Sequence, residues 1–115
     1  MLIKRIYRGN RGEGKTKWLV ENAIDTVVIA NSHENEDTKL FYVGDYATYN
    51  NFVSTYETIM HTKCPIERWE HKDMRGCDTA ILFTDELMYN MNCIPSDLPN
   101  NGIWFITMDA VDFVQ

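Results

Sequence analysis

Gly9-Asn10-Arg11-Gly12-Glu13-Gly14-Lys15-Thr16 follows an apolar segment, Leu2 to Tyr7, and precedes a stretch with helical spacing. The octet fits the phosphate-binding pattern G-x-x-x-x-G-K-[ST] without a mismatch. Its spacing has a chemical reason. Glycines let the backbone turn tightly and aim successive N–H groups at phosphate oxygens, an approach that a Cβ would obstruct. The loop then enters a helix whose N-terminal amides and positive dipole end favour an anion. Gly9, Asn10, Arg11, Gly12, Glu13, Gly14, Lys15 and Thr16 are therefore the expected phosphate-binding residues, with Lys15 reaching the β- and γ-phosphates and the Thr16 hydroxyl available to Mg²⁺. With glycine at about 7% of average usage, chance gives such an octet in roughly one chain of this length per few hundred.

Outward from the octet, the apolar pattern predicts alternating elements. Leu2 to Tyr7 reads as a first strand. Lys15 to Asp25 reads as a helix with a broad apolar face (Trp18, Leu19, Val20, Ala23, Ile24). Thr26 to Ala30, β-branched and apolar, reads as a short buried strand. Asn31 to Lys39, including His33, reads as a polar surface loop, and Leu40 to Val43 as another short strand ending at Gly44-Asp45. Phe52, Val53, Tyr56, Ile59 and Met60 form one helical stripe, with Asp45 or Thr48 as its cap and Pro65 as its stop. The aromatics Tyr42, Tyr46, Tyr49, Phe52 and Tyr56 are expected to pack in the core rather than stack on bases. Ile66 to Trp69 fits a short or edge strand, and Asp73 to Asp78 a polar turn.

Thr79 to Glu86 reads as a buried strand ending in two carboxylates, and Leu87 to Met91 as a short helix. A Pro/Asn-rich turn through Gly102 leads to a last strand, Ile103 to Thr107, with Asp109 just beyond its end. Alternation of this kind predicts an α/β fold: a three-layer sandwich, a mostly parallel sheet of about four or five strands with helices on both faces. Residues 1–115 form one domain, since no linker, repeat or low-complexity tract divides them. Parallel sheets bind ligands beyond their strands' carboxyl ends. The octet, Asp85-Glu86 and Thr107 all fall at such ends.

Composition sets bounds on this. At 44% apolar residues the chain can bury a core, and the net charge of −6 gives no overall sign of nucleic-acid binding. Six of the eleven basic residues nevertheless lie between Lys4 and Lys17, beside the octet, so a local nucleic-acid contact stays open. No run is long and apolar enough to span a membrane, and the N-terminus breaks its apolar run with charge too early for a secretory signal. A cytoplasmic protein with no membrane partner is the expectation. The three cysteines fit reduced thiols. His61, Cys64, His71 and Cys77 offer four zinc-type ligands, but their irregular spacing favours ordinary structural roles.

On these residues the chain resembles P-loop NTPases. Gly9 to Thr16 looks like a Walker A motif, and Ile81-Leu82-Phe83-Thr84-Asp85-Glu86 looks like a Walker B motif of the class with a catalytic glutamate after the aspartate. The resemblance implies a minimal domain that binds ATP and Mg²⁺, with Lys15 and Thr16 on phosphates and metal, Asp85 on the metal and Glu86 as the base. It implies Thr107 as a polar sensor of the γ-phosphate. Met74 to Asp78, leading into that strand, is similar to a stretch of phage packaging motors and helicase-like ATPases, which suggests a small phage or mobile-element ATPase. Thr84, where many relatives carry an apolar residue, departs from the pattern. No arginine finger is evident, although Arg11, Arg68 or Arg75 could serve within the chain or across an interface.

The expected activity is therefore Mg²⁺-dependent ATP hydrolysis by in-line attack of water on the γ-phosphate. Two alternatives remain open. A nucleoside or nucleotide kinase similar to thymidine kinase would use Glu86 toward a sugar hydroxyl, although no arginine-rich lid follows the core. A nucleotide-gated interaction module would bind a protein partner or a second copy of the chain without turnover. ATP is favoured over GTP because no N-K-x-D pattern is present.

Overall fold

The computed structural model describes residues 1–10, 12–32, 38–70 and 78–110. The elements are β1 (Leu2–Gly9), α1 (Lys15–Ser32), β2 (Lys39–Tyr42), α2 (Tyr46–Met60), β3 (Glu67–Arg68), β4 (Thr79–Thr84), α3 (Leu87–Asn90), a 3-10 turn (Met91–Cys93) and β5 (Asn101–Asp109). The five strands form one all-parallel sheet in the order β1-β5-β4-β2-β3. Parallel neighbours cannot be joined by a hairpin, so the helices α1, α2 and α3 carry the chain across the faces of the sheet, and all carboxyl ends share one rim. β5 separates β1 from β4, the strands that end in the octet and in Asp85-Glu86.

Successive strand residues face opposite sides. Tyr42, Phe83 and Phe105 face one way and meet Leu19, Val20 and Ala23 of α1 and Phe52 and Tyr56 of α2. Phe83 and Phe105 stack at 5.3 Å, and Phe52 tilts against Tyr42 at 5.0 Å. Their neighbours Phe41, Leu82 and Trp104 face the other way with Val43 and Ile106, under Leu87, Ile94 and Leu98 from α3 and the segment after it. The result is a three-layer α/β sandwich whose second outer layer is thin. Burying each of these large side chains is worth about 1.5–3 kcal/mol, so both faces contribute to the core. Thr84 is fully buried because its hydroxyl accepts the indole N–H of Trp104 at 2.9 Å. Gly102 is required by geometry: its φ is +126°, and a Cβ there would lie 1.8 Å from the Ala80 carbonyl oxygen.

Several sequence expectations need correction. Thr26 to Ala30 is not a strand but the continuation of α1. No glycine or proline follows Asp25, and Ile24 and Val27 continue the stripe that packs on the sheet, while Val28 and Ile29 face outward at 59% and 58% exposure. The Thr26 hydroxyl also donates to the Asn22 carbonyl one turn back, at 2.7 Å. α2 ends at Met60, before Pro65 acts: His61 turns left-handed at φ 58° and its N–H closes on the Glu57 carbonyl at 2.8 Å. β5 begins at Asn101 rather than Ile103, and β1 runs on to Gly9. Of the five aromatics assigned to the core, Tyr46 is instead 60% exposed and lies against the Arg68 guanidinium, 3.9 Å from its ring centre. His33 and most of the turn at Asp73 to Asp78 fall outside the described residues. Among the described residues, no helix is long and apolar enough to cross a membrane.

Candidate functional site

The loop after β1 is shaped by its glycines and by short polar ties. Gly12 and Gly14 have φ of 84° and 78°, a region that favours glycine. Gly9 is close-packed, since a Cβ there would lie 2.9 Å from the Tyr7 ring. The Glu13 amide donates to the Asn10 carbonyl at 3.0 Å, and the Tyr7 hydroxyl donates to the Glu13 carbonyl at 2.9 Å. The Asn10 amide closes the loop on the Glu13 carboxylate. Trp18 makes the 2.9 Å helical bond back to Gly14, so the amides of Lys15, Thr16 and Lys17 have no helical carbonyl to reach. They point out of the N-terminus of α1. Arg11 lies outside the described residues.

At this rim Lys15 is 5% exposed and its ammonium meets two carboxylates, Glu86 at 3.0 Å and Asp109. Burial works to lower its pKa, but the bonds to Asp109 and Glu86 outweigh it and hold the ammonium above its ordinary range. Thr16 Oγ1 donates to Asp85 Oδ2 at 2.7 Å. The Thr107 hydroxyl donates its one proton to the other Asp85 oxygen and accepts the Glu86 amide at 2.9 Å. Asp85 is 1% exposed, and its amide donates to the Tyr42 hydroxyl at 3.3 Å. Burial pushes the Tyr42 phenol well above its usual pKa. Glu86 takes a left-handed backbone, φ 52° and ψ 64°, where non-glycine residues are uncommon and held by their surroundings. Here the turn carries its carboxylate to Lys15.

These groups open onto a cleft of about 590 Å³ lined by Lys15, Thr16, Asp85, Glu86 and Asp109 and, on its far wall, by Ala47, Thr48, Asn51 and Tyr89. The far wall is the start of α2 together with α3. Asp45 caps α2 by accepting the Thr48 amide at 2.9 Å, and that bond depresses its carboxyl pKa. The Tyr89 hydroxyl bonds to the same carboxylate, which raises the phenol's pKa. Thr16 Oγ1 and Asp85 Oδ2 are adjacent hard oxygens. No group of three or more His, Cys, Asp or Glu able to hold a metal occurs among the described residues. A cation here would keep most of its shell in water or ligand oxygens, which suits magnesium better than zinc.

The structure thus brings together Lys15, Thr16, Asp85, Glu86 and Thr107, as the strand-end argument expects. Asp109, Thr48, Asn51, Tyr89 and Asn90 were not singled out from the sequence as site residues. Asp109 alone carried a usable signal, being an acid just past the end of an apolar strand. Of the proposed zinc ligands, His61 is exposed at the end of α2, and Cys64 is buried with burial raising its thiol pKa. His71 and Cys77 lie outside the described residues, as does Arg75. Arg68 donates to the Gly44 carbonyl at 3.0 Å in addition to its contact with Tyr46. No protein-family model, curated protein or solved structure matches the chain.

Proposed function

We propose that the protein is a P-loop NTPase that binds ATP with Mg²⁺ and hydrolyses its γ-phosphate. One observation carries this. Lys15 and Thr16 at the start of α1 lie within hydrogen-bonding distance of Glu86 and Asp85 at the end of β4, about seventy residues away in the chain. Structural packing alone does not require a buried lysine, two adjacent carboxylates and the open amides of a helix start to meet at one cleft. Phosphoryl chemistry does.

In this proposal the amides after Gly12 and the start of α1 cradle the phosphates. Lys15 exchanges its carboxylate partners for β- and γ-oxygens. Thr16 and Asp85 would hold a magnesium ion, which when bound would neutralise phosphate charge. Glu86, on its left-handed turn, orients water for in-line attack on the γ-phosphorus and takes its proton, while the bond to the β,γ-bridging oxygen breaks and ADP leaves. Thr107, whose proton goes to Asp85, acts by fixing Asp85 and Glu86 rather than by touching phosphate. Arg68 is held by Gly44 and Tyr46, which leaves Arg11, Arg75, a second copy or a partner protein as the proposed source of any arginine finger. A cytoplasmic setting and a small phage-like ATPase belong to the same proposal.

The test is equilibrium binding of a fluorescent ATP analogue to the wild type and Lys15→Ala, together with phosphate release. Micromolar binding lost by at least tenfold in Lys15→Ala, with phosphate released by the wild type, is expected. Equal affinity in both proteins would refute the assigned cradle. Transfer of label from ATP to an added nucleoside, in place of phosphate release, would assign the site to a kinase.

A further inference from the structure

Asn90 is fully buried at the end of the four-residue α3, outside the list of groups that the proposed reaction uses. Its side chain is fully engaged. Nδ2 donates to the Asp85 carbonyl at 2.7 Å and to Thr48 Oγ1 at 3.0 Å, while Oδ1 accepts the Asp45 amide at 3.0 Å. Its own amide donates to the Glu86 carbonyl at 3.0 Å. Both peptide carbonyls flanking the Glu86 α-carbon are therefore held by one residue, and the Glu86 amide is held by Thr107. Gly44 keeps room for this side chain, since a Cβ at residue 44 would lie 3.0 Å from Asn90 Nδ2.

We infer that Asn90 is a positioning residue: it ties the Glu86 turn to the start of α2, so that the base and the far wall of the cleft move as one body. The inference rests on the proposed hydrolase reading for its kinetic consequence, and on geometry alone for the tie. The left-handed backbone at Glu86 is disfavoured for a residue with a Cβ and persists because its surroundings over-determine it. Asn90 supplies those surroundings from one side and Thr107 from the other. Tyr89 also joins α3 to the start of α2 through the Asp45 carboxylate, whereas the Asn90 amide group adds the tie to the Glu86 turn, reaching Asp45, Thr48 and the Asp85 carbonyl at once.

Asn90→Asp removes the Nδ2 donor, keeps the size, and keeps the acceptor for the Asp45 amide. With Mg²⁺-ATP, kcat is expected to fall at least tenfold while KM and the affinity for a fluorescent ATP analogue change less than threefold. In a Glu86→Gln background the same substitution is expected to cost less than twofold, because its effect passes through Glu86. Independent, multiplicative losses would overturn the inference, as would a matched loss of affinity and kcat. Amide hydrogen exchange supplies the arm that does not need turnover: Asn90→Leu, which also removes the acceptor for the Asp45 amide, should speed exchange at Glu86 and at Asp45 together. Faster exchange at one of them alone refutes the tie, whatever the activity. A wild type with no turnover refutes the hydrolase reading and leaves the exchange result to decide the tie. If the Asn90 variants do not fold, Thr48→Val removes one of the two bonds from Asn90 to the start of α2 and leaves that to the Asp45 amide; faster exchange at Glu86 is expected there also, and unchanged exchange at Glu86 overturns the tie.

Discussion

Replacing Thr107 by valine keeps the buried volume and removes the hydroxyl that joins Asp85 to Glu86. Two hydrogen bonds disappear, one to a carboxylate and one from a backbone amide. A bond to a charged group contributes about 1.5–3 kcal/mol and a neutral one about 0.5–1.5 kcal/mol, so the expected loss is about 2–4 kcal/mol. Unfolding entropy of about 2.1 cal/mol/K per residue over 115 residues comes to about 0.24 kcal/mol/K, and the loss corresponds to a fall in Tm of roughly 8–16 °C. Thr107→Ser keeps the hydroxyl and removes one methyl, which costs about 1 kcal/mol, or roughly 4 °C. Calorimetric melting of the three proteins at neutral pH should therefore rank wild type above serine above valine. A valine variant that melts at or above the serine variant would show that the hydroxyl's bonds contribute little and that packing alone holds residue 107.

Gly102→Ala should prevent folding or cost more than about 4 kcal/mol, since the backbone is left-handed and the added carbon meets the Ala80 carbonyl; a urea midpoint like that of the wild type would contradict the strand geometry. Asp45→Ala should cost about 1 kcal/mol by removing the cap of α2. Because the folded Asp45 pKa is depressed, its contribution is present above the unfolded value of 3.8 and is lost as pH falls through the folded one. The acid limb of stability measured by urea midpoints should accordingly be shallower in the variant. At the alkaline end, the folded chain keeps the Tyr42 proton above the ordinary pKa of 10.0, so stability should fall as pH rises past that value. Tyr42→Phe should flatten this decline, and an unchanged slope would count against the buried phenol.

The sequence was informative where local pattern and chemistry coincide. An apolar run followed by Gly9 to Thr16, and another followed by Asp85-Glu86, each mark a strand end without help from the rest of the chain. Parallel connection then places the two ends on one rim, and so the convergence of the octet with Asp85-Glu86 was legible in the sequence, whereas the ion pair of Lys15 with Glu86 was not. Thr26 to Ala30 was not. A five-residue β-branched run is equally at home in a strand or in the last turns of a packed helix, and only the sheet beneath α1 decides between them. The order of the strands was hidden for a related reason, because pairing in a parallel sheet is wholly non-local. Asn90 was the least visible of all. Its role lies in three hydrogen bonds to residues up to 45 positions away, and an asparagine after a short apolar stretch reads as an ordinary turn residue.

The proposed chemistry is tested most directly by phosphate release from Mg²⁺-ATP by the wild type and by Glu86→Gln, with ATP affinity measured on both. Steady release that falls at least a hundredfold in Glu86→Gln, at an affinity within about threefold of the wild type, is the predicted result for a general base. Equal release by the two proteins would contradict the role given to Glu86. Tight binding with no release from either would contradict hydrolysis by the chain alone.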